Sequence, residues 1–128
     1  MSIVDLIKSK EDLIIYAPAE PNLVFQAEQE LKVVFSKEYV EYVLAFGIAV
    51  FAGHELTGIC DRKRLDVVRN TFNQRELNLF IPKDWYVIET LDIDGVVIWQ
   101  DGSGKIYQTV PGGRRILIAD SLREYIAE

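Results

Sequence analysis

The apolar pattern changes period at Pro82, and that change restricts the chain to a small set of folds. Before Pro82, apolar residues recur at three and four positions, the spacing of amphipathic helices. After it, short runs rich in aromatic and β-branched residues alternate with Gly-bearing turns. In the first half, Ser2 followed by Asp5 reads as a cap opening a short helix with Ile3, Leu6 and Ile7 inward. Leu13–Tyr16 reads as a strand. Pro21 suits a first helical position, and Val24, Ala27, Leu31 and Val34 form the face that follows. Ser36 caps a second helix with Tyr39, Tyr42, Val43 and Phe46 inward and Gly47 at its end. Residues 48–51 and 56–59 read as short strand or loop, and Leu65, Val68 and Phe72 mark a third helix.

In the second half, Trp85–Leu91 and Val96–Gln100 flank Asp94-Gly95, a strong hairpin signal. Ile106–Val110 and Ile116–Ala119 follow across the turns at 101–104 and 111–113. Asp120 or Ser121 then caps a closing helix with Leu122, Tyr125 and Ile126 inward. Helices first and a meander second predict an α+β domain over residues 1–128, with helices packed on one mostly antiparallel sheet of about four to six strands. The expected core is Leu31, Tyr39, Val43, Phe46, Val68, Phe72, Ile88, Ile98, Ile106, Ile118, Leu122 and Ile126.

Composition narrows the function classes. The chain has 128 residues, enough for one domain. Its one cysteine, Cys60, cannot form an internal disulfide and suits a reducing cytosol. No apolar run reaches the length of a membrane span, and Asp5, Lys8 and Lys10 interrupt any secretory signal core. The net charge of −6 disfavours nucleic acid and favours a basic partner. Against that background, residues 61–75 hold five bases and two acids.

Each possible reactive group has a plain structural alternative. His54 is the only histidine and has no Cys or second His at zinc spacing, so it reads as solvated. Cys60 with His54 would make a nucleophile–base pair only if folding joined them. Asp92-Ile93-Asp94-Gly95 begins like a calcium loop, but Val96, Val97 and Ser103 stand where the loop needs an oxygen ligand, Gly and Glu. Gly102–Lys105 resembles a phosphate loop, but Trp99 and Ile106 stand at its required Gly and Ser/Thr. The basic residues from Arg62 to Arg75 read as a helix face paired with Asp61, Asp66 and Glu76, and Arg114-Arg115 as charges flanking an edge strand. No cofactor and no metal is called for.

The order of elements resembles one family. Ala27–Leu31, Ser36–Gly47 and the closing Ile118–Ile126 resemble, in sequence, the helices of the SUKH superfamily of Smi/Knr-like domains. The stretch from Val67 to Glu89 is similar to the bacterial branch with YobK-type antitoxins. Ser36-Lys37, Phe46 and Leu122 depart from the family's usual Leu-Pro, Tyr and Phe, but each keeps a cap or an apolar group. The resemblance implies an α+β immunity protein that binds and blocks a cognate toxin, often a nuclease. The alternatives are a regulatory adaptor without a toxin and, last, a small hydrolase. The expected binding surface is the acidic meander face: Asp84, Glu89, Asp92, Asp94 and Asp101, with Trp85, Trp99 and Tyr107 as aromatic anchors.

Overall fold

Two local devices start and stop each main helix. A computed structural model describes residues 1–91 and 93–127. Helix α1 (Ile3–Lys8) opens where the Ser2 hydroxyl accepts from the Asp5 N–H at 3.0 Å. Helix α2 (Pro21–Leu31) begins on Pro21, whose missing N–H costs nothing at a helix start. It ends at Lys32, which turns left-handed at φ 57°. That reversal takes Val34 off the predicted helical face and leaves it 70% exposed, while Val33 and Phe35 turn inward. Helix α3 (Lys37–Phe46) opens with the Ser36 hydroxyl accepting from Tyr39 N–H. It closes on Gly47, at φ 74° and ψ −64°, where Ile48 N–H donates to the Phe46 carbonyl at 2.8 Å. That is a γ-turn, a conformation strained for residues with a Cβ.

The strands form two antiparallel sheets rather than the single one expected. Among the described residues, β1 (Ile14–Ile15), β2 (Ala49–Phe51) and β3 (His54–Leu56) make a small sheet in chain order. It interleaves with the helices, so helices and strands are less segregated than the period suggests. A 3-10 turn (Lys63–Leu65) leads into α4 (Val67–Leu77), whose cap is Asp66, accepting from Arg69 N–H at 3.0 Å. Capping there turns the helix away from its predicted face. Val67 and Thr71 are buried, Val68 is only partly so, and Phe72 is 43% exposed.

The meander follows as β4 (Tyr86–Thr90), β5 (Val97–Gln100), β6 (Ile106–Thr109) and β7 (Ile116–Ala119), all antiparallel neighbours in that order. Asp94 and Gly95 both have positive φ, the backbone their hairpin turn needs. Ser121, not Asp120, caps α5 (Leu122–Ala127) by accepting from Glu124 N–H. Ile118 is only half-buried; the other residues expected in the core, Val68 and Phe72 aside, are buried.

The meander is buried on both faces. Tyr86, Ile88, Ile98 and Ile106 join the helices in the main core. Trp85, Val87, Val97 and Trp99 make a second apolar cluster. A bulge in β4 adjusts the two: Val87 pairs with Trp99 and Glu89 with Ile98, leaving Ile88 as the extra residue. Three buried tyrosine hydroxyls tie helices to sheets. Tyr39 bonds Thr57, which in turn donates to the Val87 carbonyl. Tyr42 donates to the Thr57 carbonyl and accepts from Ala49 N–H. Tyr86 accepts from Ser36 N–H and donates to Gln100.

Gly47 and Gly58 meet backbone to backbone. Ile59 N–H donates to the Gly47 carbonyl at 3.0 Å, and a Cβ on Gly58 would sit 1.7 Å from that same oxygen. No side-chain rotation relieves such a clash. Gly58→Ala is expected to lower stability by about 3 kcal/mol, read in urea as a lower midpoint at an unchanged slope.

Candidate functional site

The structure separates the residues of the expected acidic face. Glu89 is 1% exposed and not on the surface at all. Strict alternation would place it beside Val87 on the second-cluster side; the β4 bulge turns it to the opposite face. There Oε2 accepts from Glu55 N–H at 2.7 Å, and Oε1 accepts from the Tyr125 hydroxyl at 2.6 Å. Trp99 is fully buried, with its indole N–H on the Thr109 hydroxyl at 2.9 Å. Trp85 is buried too. Tyr107 stacks on it at 3.9 Å, and Arg115 lies over the Trp85 ring at 5.7 Å. None of the three aromatics is an exposed anchor, though Tyr107 is half-open.

Asp101 is engaged inside its own turn. One carboxylate oxygen accepts from the Ser103 N–H, the Ser103 hydroxyl and the Lys105 N–H; the other accepts from Tyr107 at 2.9 Å. Burial pushes its carboxyl up, but these bonds from Ser103, Tyr107 and Lys105 outweigh that and hold it below the usual value. Asp84 and Asp94 are exposed, as expected. Asp92 lies outside the described residues.

His54 is not the solvated side chain its position near a turn suggested. Its Nδ1 sits 3.0 Å from Glu89 Oε1, and its ring contacts Phe51 and Tyr125. The group therefore joins β3, β4 and α5 around one buried carboxylate. Cys60 has a different partner, the Arg62 carbonyl at 3.5 Å. Burial raises its thiol pKa, and Asp66 and Asp61 add to that, which opposes thiolate formation. His54 and Cys60 thus make no pair in which one activates the other.

The basic segment is divided among several tasks instead of pairing with Asp61, Asp66 and Glu76. Arg64 grips Glu55 with two bonds of 2.9 and 2.8 Å, which lowers the Glu55 pKa. Arg75 donates to the Leu31 and Lys83 carbonyls, bracing α2 against the loop before β4. Asp61 accepts from the Tyr16 hydroxyl, and Asp66 caps α4.

Sequence reasoning missed an apolar surface just beyond α4. Leu77, Leu79 and Phe80 are 75, 77 and 95% exposed. They border a groove of about 720 Å3 whose other wall is the turn carrying Arg114 and Arg115. Apolar residues clustered at a helix end read as core by composition, so no sequence signal set these apart.

One comparison places this geometry among known proteins. The family model SUKH_5, described as SMI1-KNR4 cell-wall, matches residues 1–128. The chain belongs to this SUKH family. No curated protein matches it. The SUKH domain keeps the expected α+β character with its strands in two sheets. Among the described residues, no helix is long and apolar enough to cross a membrane.

Three outcomes follow for the SUKH domain's acidic residues. Glu89→Gln replaces an acceptor with a donor facing other donors, and is expected to cost about 2–3 kcal/mol. Asp84→Asn and Asp94→Asn should each stay within about 0.5 kcal/mol. Thermal denaturation of the three variants checks this. The Asp101 carboxyl is lower in the folded state, so its contribution is full above the unfolded value of about 3.9 and is lost as pH falls through the folded value. The stability gap between wild type and Asp101→Asn should therefore close as pH drops from about 5 to about 2.

Proposed function

We propose that this SUKH domain is an immunity protein of a bacterial toxin system. It binds a cognate toxin in the cytoplasm and blocks it by occupying the toxin's surface, without turnover of any substrate. The family match over residues 1–128 carries this reading. The charge balance supports it: 20 acidic against 14 basic residues give a net −6. A toxin that acts on nucleic acid presents a basic surface, and an acidic inhibitor is steered to it by long-range attraction. Cys60 supports binding over catalysis, since burial raises its thiol and its partner is a backbone carbonyl.

The words of the family description, with their reference to the cell wall, favour a second reading. In it the domain is a regulatory adaptor with a partner from the same cell and no toxin. Affinity capture from the encoding organism, read by mass spectrometry, separates the two. A partner encoded next to this chain, whose expression alone stops growth and whose co-expression with this chain does not, is the outcome expected for immunity. Recovery of wall-assembly or signalling proteins alone would replace the immunity reading with the adaptor. With the captured partner in hand, the Asp84→Asn, Asp94→Asn double variant should associate about two- to tenfold more slowly at low salt. The difference should shrink at physiological salt, where screening acts within roughly 8 Å. Stopped-flow association at two salt concentrations reads it.

A further inference from the structure

The surface around Phe80 combines three features. The first is apolar exposure. Leu77, Leu79 and Phe80, with Asn78 among them, line the groove at 75, 77 and 95% exposed, and Ile116 and Leu117 on β7 are 54 and 50% exposed. Scattered apolar residues on a surface are ordinary, but three that line one concavity mark a contact site. The second is a free sheet edge. β7 is the last strand of the meander, and its outer side has no neighbouring strand among the described residues. The groove's lining ends at Arg115, one residue before β7 begins, so the groove borders the start of that strand.

The third is charge. Arg114 and Arg115 line the groove in a chain of net charge −6, and neither is in an ion pair among the described residues. Arg115 rests over Trp85, which fixes the guanidinium at the groove wall. Cations beside an edge strand normally repel stray strands. The same two charges admit a strand that brings carboxylates, so they act as a filter on what can pair.

We propose that the groove and the β7 edge together bind an extended segment of a partner protein, one with bulky apolar side chains flanked by carboxylates. The segment adds a strand to β7 through backbone hydrogen bonds, the mode known as β-augmentation. Alternate apolar side chains of the segment enter the groove against Leu79 and Phe80. Its carboxylates meet Arg114 and Arg115. A second copy of this chain is the competing occupant, and its net charge of −6 opposes such self-association. The proposal rests on the domain being a protein-binding module, not on its partner being a toxin.

The test uses the full chain labelled with nitrogen-15 and two blocked decapeptides. One alternates Phe and Leu with Glu; the other carries Lys at every Glu position. The expected result is that the acidic peptide shifts the amides of residues 77–81 and 116–119. It should bind about tenfold more tightly than the basic one, the scale of two solvent-screened ion pairs. The exposed pair Arg114→Glu, Arg115→Glu should reverse the order of the two peptides. Phe80→Ser, at a side chain that packs on nothing, should weaken both. Equal binding of the two peptides, shifts confined to other strands, or a mass that doubles with concentration in the absence of peptide would overturn the proposal. None of these results bears on whether the captured partner is a toxin.

Discussion

Three phenols buried between helix and sheet hold this fold in register. Tyr39, Tyr42 and Tyr86 are each 0% exposed. Their rings, with Phe35 and Phe46, form one chain of contacts 4.8 to 6.5 Å apart. Ring packing alone would let α3 slide along its axis, since dispersion is only weakly directional. The hydroxyls prevent that. Each lands on a named backbone or side-chain group of a neighbouring element, and an unpaired hydroxyl at that depth would be costly. Burial pushes all three phenols well above the ordinary value, so they stay neutral and keep their protons for donation. Thr57 is where two of them converge. Its N–H also donates to the Ile88 carbonyl at 2.8 Å, so the small sheet and the meander are joined at the same residue.

Local signals were legible in the sequence wherever a single residue type decides the backbone. Ser2, Ser36 and Ser121 cap helices because a short hydroxyl can reach an N–H three residues on. Pro21 starts a helix and Asp94-Gly95 makes a hairpin for equally local reasons. What was illegible came from one-residue offsets. Lys32 reverses the chain two residues before Val34, and Asp66 rather than Leu65 sets the phase of α4. The β4 bulge moves Glu89 from one face to the other. Periodicity assumes an uninterrupted element, and a single inserted or reversed residue inverts everything after it. The separate small sheet was hidden for another reason. Leu13–Tyr16 reads as a strand, but its partner β2 lies beyond two helices, and no local signal says which strands pair.

Charge was the least readable property of the candidate site. An Asp or Glu looks the same in sequence whether it meets solvent, as Asp84 does, or closes its own turn, as Asp101 does. Arg75 reads in sequence as part of a basic helix face paired with nearby acids, yet it serves the Leu31 and Lys83 backbone carbonyls. In each case the deciding partner is a main-chain group distant in sequence or a turn geometry, and neither has a residue signature. A surplus of one sign therefore says what kind of partner is attracted, while the place of contact depends on which of those charges the fold leaves idle.

The contact between Gly47 and Gly58 bears on how such a domain can diverge. Gly58 N–H donates to the Leu65 carbonyl, and its own carbonyl accepts from Val67 N–H, so residues 59–66 form a loop tied off at its base. The two bonds of that tie and the Asp66 cap fix where α4 begins. The exposed tip at Asp61, Arg62 and Lys63 can be exchanged over generations without breaking those bonds. Descendants of one ancestor could in this way carry different recognition tips on an unaltered frame, provided the two glycines persist.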